Sequence, residues 1–224
     1  MALHNNSLSL PDQSAAILIG NGMMPRWLSI REFVSQKTFP VVAVDGGARV
    51  ARGRHILPAL IIGDLDSCTA ATLSFFRSRG TPIQHITSQT ESDLEKALTV
   101  LTRQGYYRFH LFGFMGARED HTLATLQVIK KFLRRAECFV YTPASELRLV
   151  QPGNYRFPTQ AGQIISLIAF PSARRITTRG LKFPLQNANL TEGSRGLSNV
   201  ARAGTISVNF EFGHLLIIFN HCQT

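Results

Sequence analysis

Pro40-Val-Val-Ala-Val-Asp-Gly-Gly47 is the stretch on which the fold turns. Its apolar residues run without interruption and stop at an acid and two glycines. An unbroken apolar run of this length suits a strand buried on both faces, the habit of parallel sheets. The same shape recurs outward in both directions, in Ala15-Ala-Ile-Leu-Ile-Gly20, Leu60-Ile-Ile-Gly63 and Phe109-His-Leu-Phe-Gly113. Helical periods lie between these runs. Leu94, Ala97, Leu98 and Leu101 fall at i, i+3, i+4 and i+7, one face of a helix. Ser92 and Glu95 form an S-x-x-E capping box at its start. A second helix is expected to begin near Asp120, as N-cap, and to carry Leu126, Ile129 and Leu133 inward. The first two-thirds therefore read as an α/β open parallel sheet of Rossmann-like type.

The character changes near Glu146. Leu147–Val150, Gln163–Phe170, Thr205–Phe210 and His214–Phe219 are strand-like, and Pro152-Gly153, Glu192-Gly193 and Phe212-Gly213 punctuate them as turns. This half reads as a small all-β sandwich. Two domains follow, residues 1–146 and 147–224.

The chain has 224 residues, 44% of them hydrophobic, enough for a proper core. Met1 to Gln13 is polar and lacks the layout of a signal peptide. No apolar run approaches the roughly 20 residues that span a membrane. Cys68, Cys138 and Cys222 are odd in number and far apart, so free thiols in a reducing, cytoplasmic compartment are expected. The net charge of +10 would suit a nucleic-acid partner. The charges are scattered, however, and no basic stripe is interleaved with aromatics, which argues against that partner.

Four clusters carry chemistry, and each lies where a strand ends, the edge at which open α/β sheets bind ligands. Asp45-Gly46-Gly47 either lets a ligand approach the backbone or makes a simple turn. Gly63-Asp64-Leu65-Asp66-Ser67 places two acids at i and i+2, which point the same way if the extended geometry persists. Acids so close repel unless a cation joins them, and Mg²⁺ is commonly shared by one or two carboxylates and substrate phosphates. The alternative is a turn capped by Asp66 or Ser67. Glu91-Ser92-Asp93 adds acids at a helix N-terminus, where the dipole also favours them for stability alone. Gly113 to His121 brings glycines, Arg118 with its phosphate-matching fork, and Asp120, a metal neighbour or a cap. His121 is a site-lining candidate. No P-loop pattern is present, and the spaced glycines Gly20 and Gly22 make no dinucleotide fingerprint.

In this order the motifs resemble those of thiamine pyrophosphokinases. The resemblance rests on Asp45-Gly-Gly-Ala48, Gly63-Asp-Leu-Asp-Ser67, Ser92-Asp-Leu-Glu-Lys-Ala-Leu98, Gly116-Ala-Arg-Glu-Asp-His121, Gly180-Leu-Lys-Phe-Pro-Leu185 and Gly196-Leu-Ser-Asn199. Gln89-Thr90 and Val200 stand where the family often carries acids. The resemblance implies diphosphate transfer from ATP to the hydroxyl of thiamine, by attack on the β-phosphorus with release of AMP. It implies Mg²⁺ on Asp64, Asp66 and Asp93, with Asp120 as a further catalytic acid. Asp45, Gly46, Gly47, Gly116, Arg118 and His121 would face the nucleotide. Lys182, Phe183, Ser198 and Asn199 would face thiamine. A homodimer with active sites at the subunit boundary is implied as well. Two rivals remain, a related diphosphokinase of a hydroxymethylpterin and a basic nucleic-acid-binding protein without turnover.

Overall fold

The computed structural model describes residues 14–221, which divide into two compact units, 14–146 and 147–221. The segment up to Gln13 and Cys222 lie outside the described residues. The first unit runs β1 (Ala15–Ile19), α1 (Ile30–Ser35), β2 (Val41–Val44), α2 (Gly47–Gly53), β3 (Leu60–Gly63), α3 (Ala70–Arg77), β4 (Ile83–His85), α4 (Asp93–Arg103), β5 (Arg108–Phe112), α5 (Glu119–Phe132) and β6 (Glu137–Tyr141). Its strands lie in the order β4-β3-β2-β1-β5-β6, all parallel. Every residue of β1 and β2 is buried, as unbroken apolar runs require. The chain steps outward from β1 to β4 and then returns to pair β5 against the other side of β1. The strand order thus reverses between β1 and β5, which opens a crevice at their carboxyl ends.

The helices follow the expected periods, with one shift. In α4 the face Leu94, Ala97, Leu98 and Leu101 is buried, and the Ser92 hydroxyl accepts the Glu95 N–H at 3.3 Å. The helix α5 is capped at Arg118, not Asp120. Asp120 sits in the first turn, where its carboxylate accepts the His121 N–H at 2.8 Å. Ile129 and Leu133 are buried as expected, together with Thr125, Val128 and Phe132, while Leu126 is half-buried.

The second unit contains all but the first two residues of β7 (Ser145–Val150), then β8 (Gly153–Pro158), β9 (Ile164–Arg179), β10 (Ala188–Leu190), β11 (Asn199–Val200), β12 (Thr205–Phe210) and β13 (Phe212–Asn220). The 16-residue β9 organises it. Its first half pairs antiparallel with β13, as in Leu167 against Ile217, and its last residues pair with β12, as in Thr178 against Val208. The sequence pattern ended this strand at Phe170, and Pro171 follows. The strand survives by bulging, since β9 runs four residues from Ala169 to Ala173 while its partner β13 covers only two, Leu215 to Gly213. A bulge accommodates a proline that has no N–H for the ladder. Ile165, Leu167, Ile176, Ile206, Val208 and Ile217 are buried together in the core of this unit. Among the described residues no helix is long and apolar enough to cross a membrane, and Cys68 and Cys138 are free.

Candidate active site

At the carboxyl ends of β2 and β3 and the start of α4, three acids converge. One carboxylate oxygen from each of Asp45, Asp64 and Asp93 lies within 4.8 Å of the others. Three local features hold them there. The Asp45 backbone turns at φ 44°, and its carboxylate accepts the Ser67 N–H at 3.2 Å. The Asp64 N–H donates to Asp93 Oδ1 at 3.0 Å, tying the end of β3 to the start of α4. Gly63 lies between them at φ 148°, and a Cβ there would stand 3.0 Å from Asp45 Cβ and 3.1 Å from Asp93 Oδ1. Glycine at this position is a condition of the acids meeting.

Asp66 does not join this trio. The i, i+2 argument assumed extended backbone, but Leu65 takes φ 67°. That left-handed turn breaks the alternation, so Asp66 is exposed, with its N–H donating to Asp64 Oδ1 at 3.3 Å. In its place the sequence reading missed Lys96. The Lys96 ammonium donates to Asp93 Oδ1 at 2.9 Å and to Asp64 Oδ2 at 3.1 Å, with its side chain 1% exposed. Burial lowers the Lys96 pKa, but the hydrogen bonds to Asp93 and Asp64 outweigh it and leave the value above the ordinary lysine range. A visible signal existed: Asp93 and Lys96 are i, i+3 neighbours on one helix.

Two of the three acids, Asp45 and Asp93, border a cleft of about 340 Å³ at the crevice beside β1 and β5. Asp45, Gly46, Asp93, Arg118 and His121 line it, as do Gly20, Asn21, Gly22, Ser67 and Phe114. Two glycines expected to face a ligand serve the protein instead. A Cβ on Gly47 would lie 1.8 Å from the Ile19 carbonyl oxygen, so this glycine lets α2 pack on the end of β1. The Gly116 N–H is engaged by the Thr122 hydroxyl at 3.1 Å. Gly20 and Gly22, which make no fingerprint, do reach the cleft. A Cβ on either would stand under 3 Å from the Gly113 carbonyl oxygen. Arg118 makes a forked pair with Asp120 at 3.1 and 2.6 Å, and both side chains are about two-thirds exposed. The Arg118 hydrogen bond lowers the Asp120 pKa and keeps that carboxyl ionised. Such an exposed pair is weakly held and can be exchanged for another anion.

In the second unit, Gly180–Leu185 and Gly196–Asn199, separated by residues 186–195, come together. The Lys182 N–H donates to the Val200 carbonyl at 2.7 Å, and Leu181 bridges Ala201. The Asn199 side chain clamps the Phe183 backbone, accepting its N–H at 3.0 Å and donating to its carbonyl at 2.7 Å. Asn199 is buried, whereas Phe183 is 61% exposed, so its ring is no core residue. The Lys182 ammonium lies 5.4 Å from the centre of that ring. Ser198 is exposed at φ 54°, with its N–H on the Ser166 hydroxyl.

Comparison with known proteins covers both units. The family model for the thiamin pyrophosphokinase catalytic domain matches residues 31–141, which include Asp45, Asp64 and Asp93. The model for the thiamin pyrophosphokinase vitamin B1 binding domain matches residues 154–217, which include Phe183 and Asn199. The thiamine pyrophosphokinase of Bacillus subtilis (strain 168) is 26% identical over 158 residues, 68% of this chain and 73% of that protein. Among solved structures, a thiamine pyrophosphokinase from Bacillus subtilis is similar at TM-score 0.82 and 22% identity, over 93% of this chain and 100% of that one. One from Candida albicans is similar at 0.78 and 15%, over 96% and 95%. Matched in both units and in chain order, this protein belongs to the thiamin pyrophosphokinase family of enzymes.

Proposed function

We propose that this chain moves a diphosphate from ATP onto the hydroxyl of thiamine, giving thiamine diphosphate and AMP, with Mg²⁺ as cofactor. The observation that carries the reading is the convergence of Asp45, Asp64 and Asp93, two of which, Asp45 and Asp93, line the cleft. The donor set fits Mg²⁺, because it is all carboxylate oxygen and remains anionic after Lys96 neutralises one charge. Asp45, Asp64 and Asp93 would hold the ion, with the exposed Asp66 available from the same loop. Bound there, Mg²⁺ supplies neutralisation of the phosphate charge. The chain itself supplies alignment, which is most of what phosphoryl-type transfer demands. Arg118 is placed to take a phosphate oxygen by leaving Asp120, whose own part is to hold that guanidinium at the cleft. His121 and Gly46 line the nucleotide's walls. A carboxylate of the trio would accept the thiamine hydroxyl proton.

For thiamine we assign Phe183 as the ring platform. An exposed aromatic face attracts a cationic thiazolium and stacks on a pyrimidine. Asn199 acts by fixing Phe183, and Lys182 and Ser198 flank it. The match of the second unit to a vitamin B1 binding domain favours thiamine over a pterin alcohol. We read the parallel sheet as Rossmann-like and the β unit as a sandwich, and the working enzyme as a cytoplasmic homodimer with sites at the subunit boundary. Release of AMP from ATP and Mg²⁺, measured with thiamine and with hydroxymethylpterin, tests the reading. AMP with thiamine alone is expected. AMP with the pterin alone, or salt-sensitive DNA binding with no AMP, refutes it.

A further inference from the structure

The carboxylate trio already contains a cation. Lys96 reaches Asp64 and Asp93 from the protein side: its side chain is 1% exposed, and it does not line the cleft. A lysine this buried is rare unless paired, and here both partners belong to the site. Its location excludes direct contact with a nucleotide phosphate in this arrangement, so its effect passes through the two acids. That effect has two parts of opposite sign. The ammonium cancels repulsion between Asp64 and Asp93 and fixes their rotamers. It also occupies lone pairs on Asp93 Oδ1 and Asp64 Oδ2 and places a positive charge about 3 Å from oxygens that a metal ion would use.

We propose that Lys96 is a positioning residue that preassembles the trio without metal and, by its charge, weakens the trio's hold on a free divalent cation. The nucleotide's phosphates supply the negative charge that Lys96 removes, so the cation enters with the nucleotide and does not reside in the free enzyme. This inference rests on reading the trio as the Mg²⁺ site.

The test is calorimetric titration of Mg²⁺ into the nucleotide-free, full-length protein, comparing wild type with Lys96→Met, Lys96→Gln and Lys96→Arg. Each is measured with and without Asp45→Asn, and melting is followed in EDTA and in Mg²⁺. The neutral variants are expected to bind Mg²⁺ at least tenfold more tightly than wild type, to melt lower in EDTA and to regain that loss in Mg²⁺. Lys96→Arg should track wild type. Should a neutral variant fail to fold in EDTA, its near-ultraviolet dichroism should return at Mg²⁺ concentrations below the wild-type Kd, and no return overturns the proposal. Equal or weaker Mg²⁺ affinity in both neutral variants overturns it too, while loss of affinity on Asp45→Asn would leave the trio as the metal site. If Asp45→Asn changes nothing in any background, the metal is not on the trio, and both readings fall.

Discussion

The backbone N–H of Asp64 donates to the side chain of Asp93, 29 residues later, at 3.0 Å. The bond joins the residue that follows β3 to the first turn of α4, past the intervening α3 and β4. It makes one acid of the site the anchor for another. Lys96 then closes the triangle from behind. Charge, backbone and helix start are therefore one device, and substitutions within it should split activity from stability.

Asn substitutions at Asp64, Asp66 and Asp93 are each expected to lower AMP release at saturating Mg²⁺ by 100-fold or more, since metal-held charge stabilisation is worth several kcal/mol. Their stabilities should differ. Asp64→Asn and Asp93→Asn weaken the pairing of a buried ammonium and should cost about 1–3 kcal/mol. Asp66→Asn touches an exposed side chain and should stay within about 0.5 kcal/mol of wild type. Urea denaturation alongside the assay checks both. Full activity in Asp66→Asn would remove it from the proposed ligands.

Gly63→Ala is expected to damage the site more than its size suggests. The added methyl would crowd Asp45 and Asp93 at 3.0–3.1 Å, and φ 148° strains any L residue. A loss of about 1–3 kcal/mol in stability is expected, together with a fall in kcat. An alanine variant with unchanged kcat would show that the acids need not meet as closely as they do here.

Phe183→Ala should raise the KM for thiamine by a factor corresponding to about 1–2 kcal/mol, and leave the KM for ATP and the melting temperature unchanged, because the ring is exposed. Tyr or Trp should substitute. Asn199→Ala removes two hydrogen bonds to the Phe183 backbone and should raise the thiamine KM while also lowering Tm. A Phe183→Ala protein with wild-type thiamine kinetics would place the ring platform elsewhere.

Cys138 is buried in β6, and burial, with a smaller contribution from Glu137, pushes its thiol up to about 12. An unfolded thiol titrates near about 8.5. Since the folded value is the higher one, the stabilising effect is complete below the unfolded value and disappears as pH rises through the folded value. Denaturation midpoints should fall between pH 8.5 and 11, less steeply in Cys138→Ala. Native protein should leave Cys138 unalkylated at pH 8. Rapid alkylation there would show that β6 opens.

What the sequence determined alone was whatever depends on near neighbours. The apolar runs marked β1, β2, β3 and β5, the period of α4 and its Ser92 cap were legible because strand burial and helix faces repeat over a few residues. The order of the motifs pointed to the family for the same reason, each being a short string. The tertiary structure decided which members of those strings meet. Asp45 joins Asp64 and Asp93 because β2 and β3 are neighbours in register, and Asp66 is excluded by one left-handed residue at Leu65. Gly47 and Gly116 proved to serve backbone packing and a local hydrogen bond, while Gly20 and Gly22 reached the cleft, because a glycine's purpose is set by what lies across from it. Lys96 became part of the site only through burial against acids on two different elements. Convergence of this kind is fixed by sheet order and register over long separations, and no local pattern of residues encodes it.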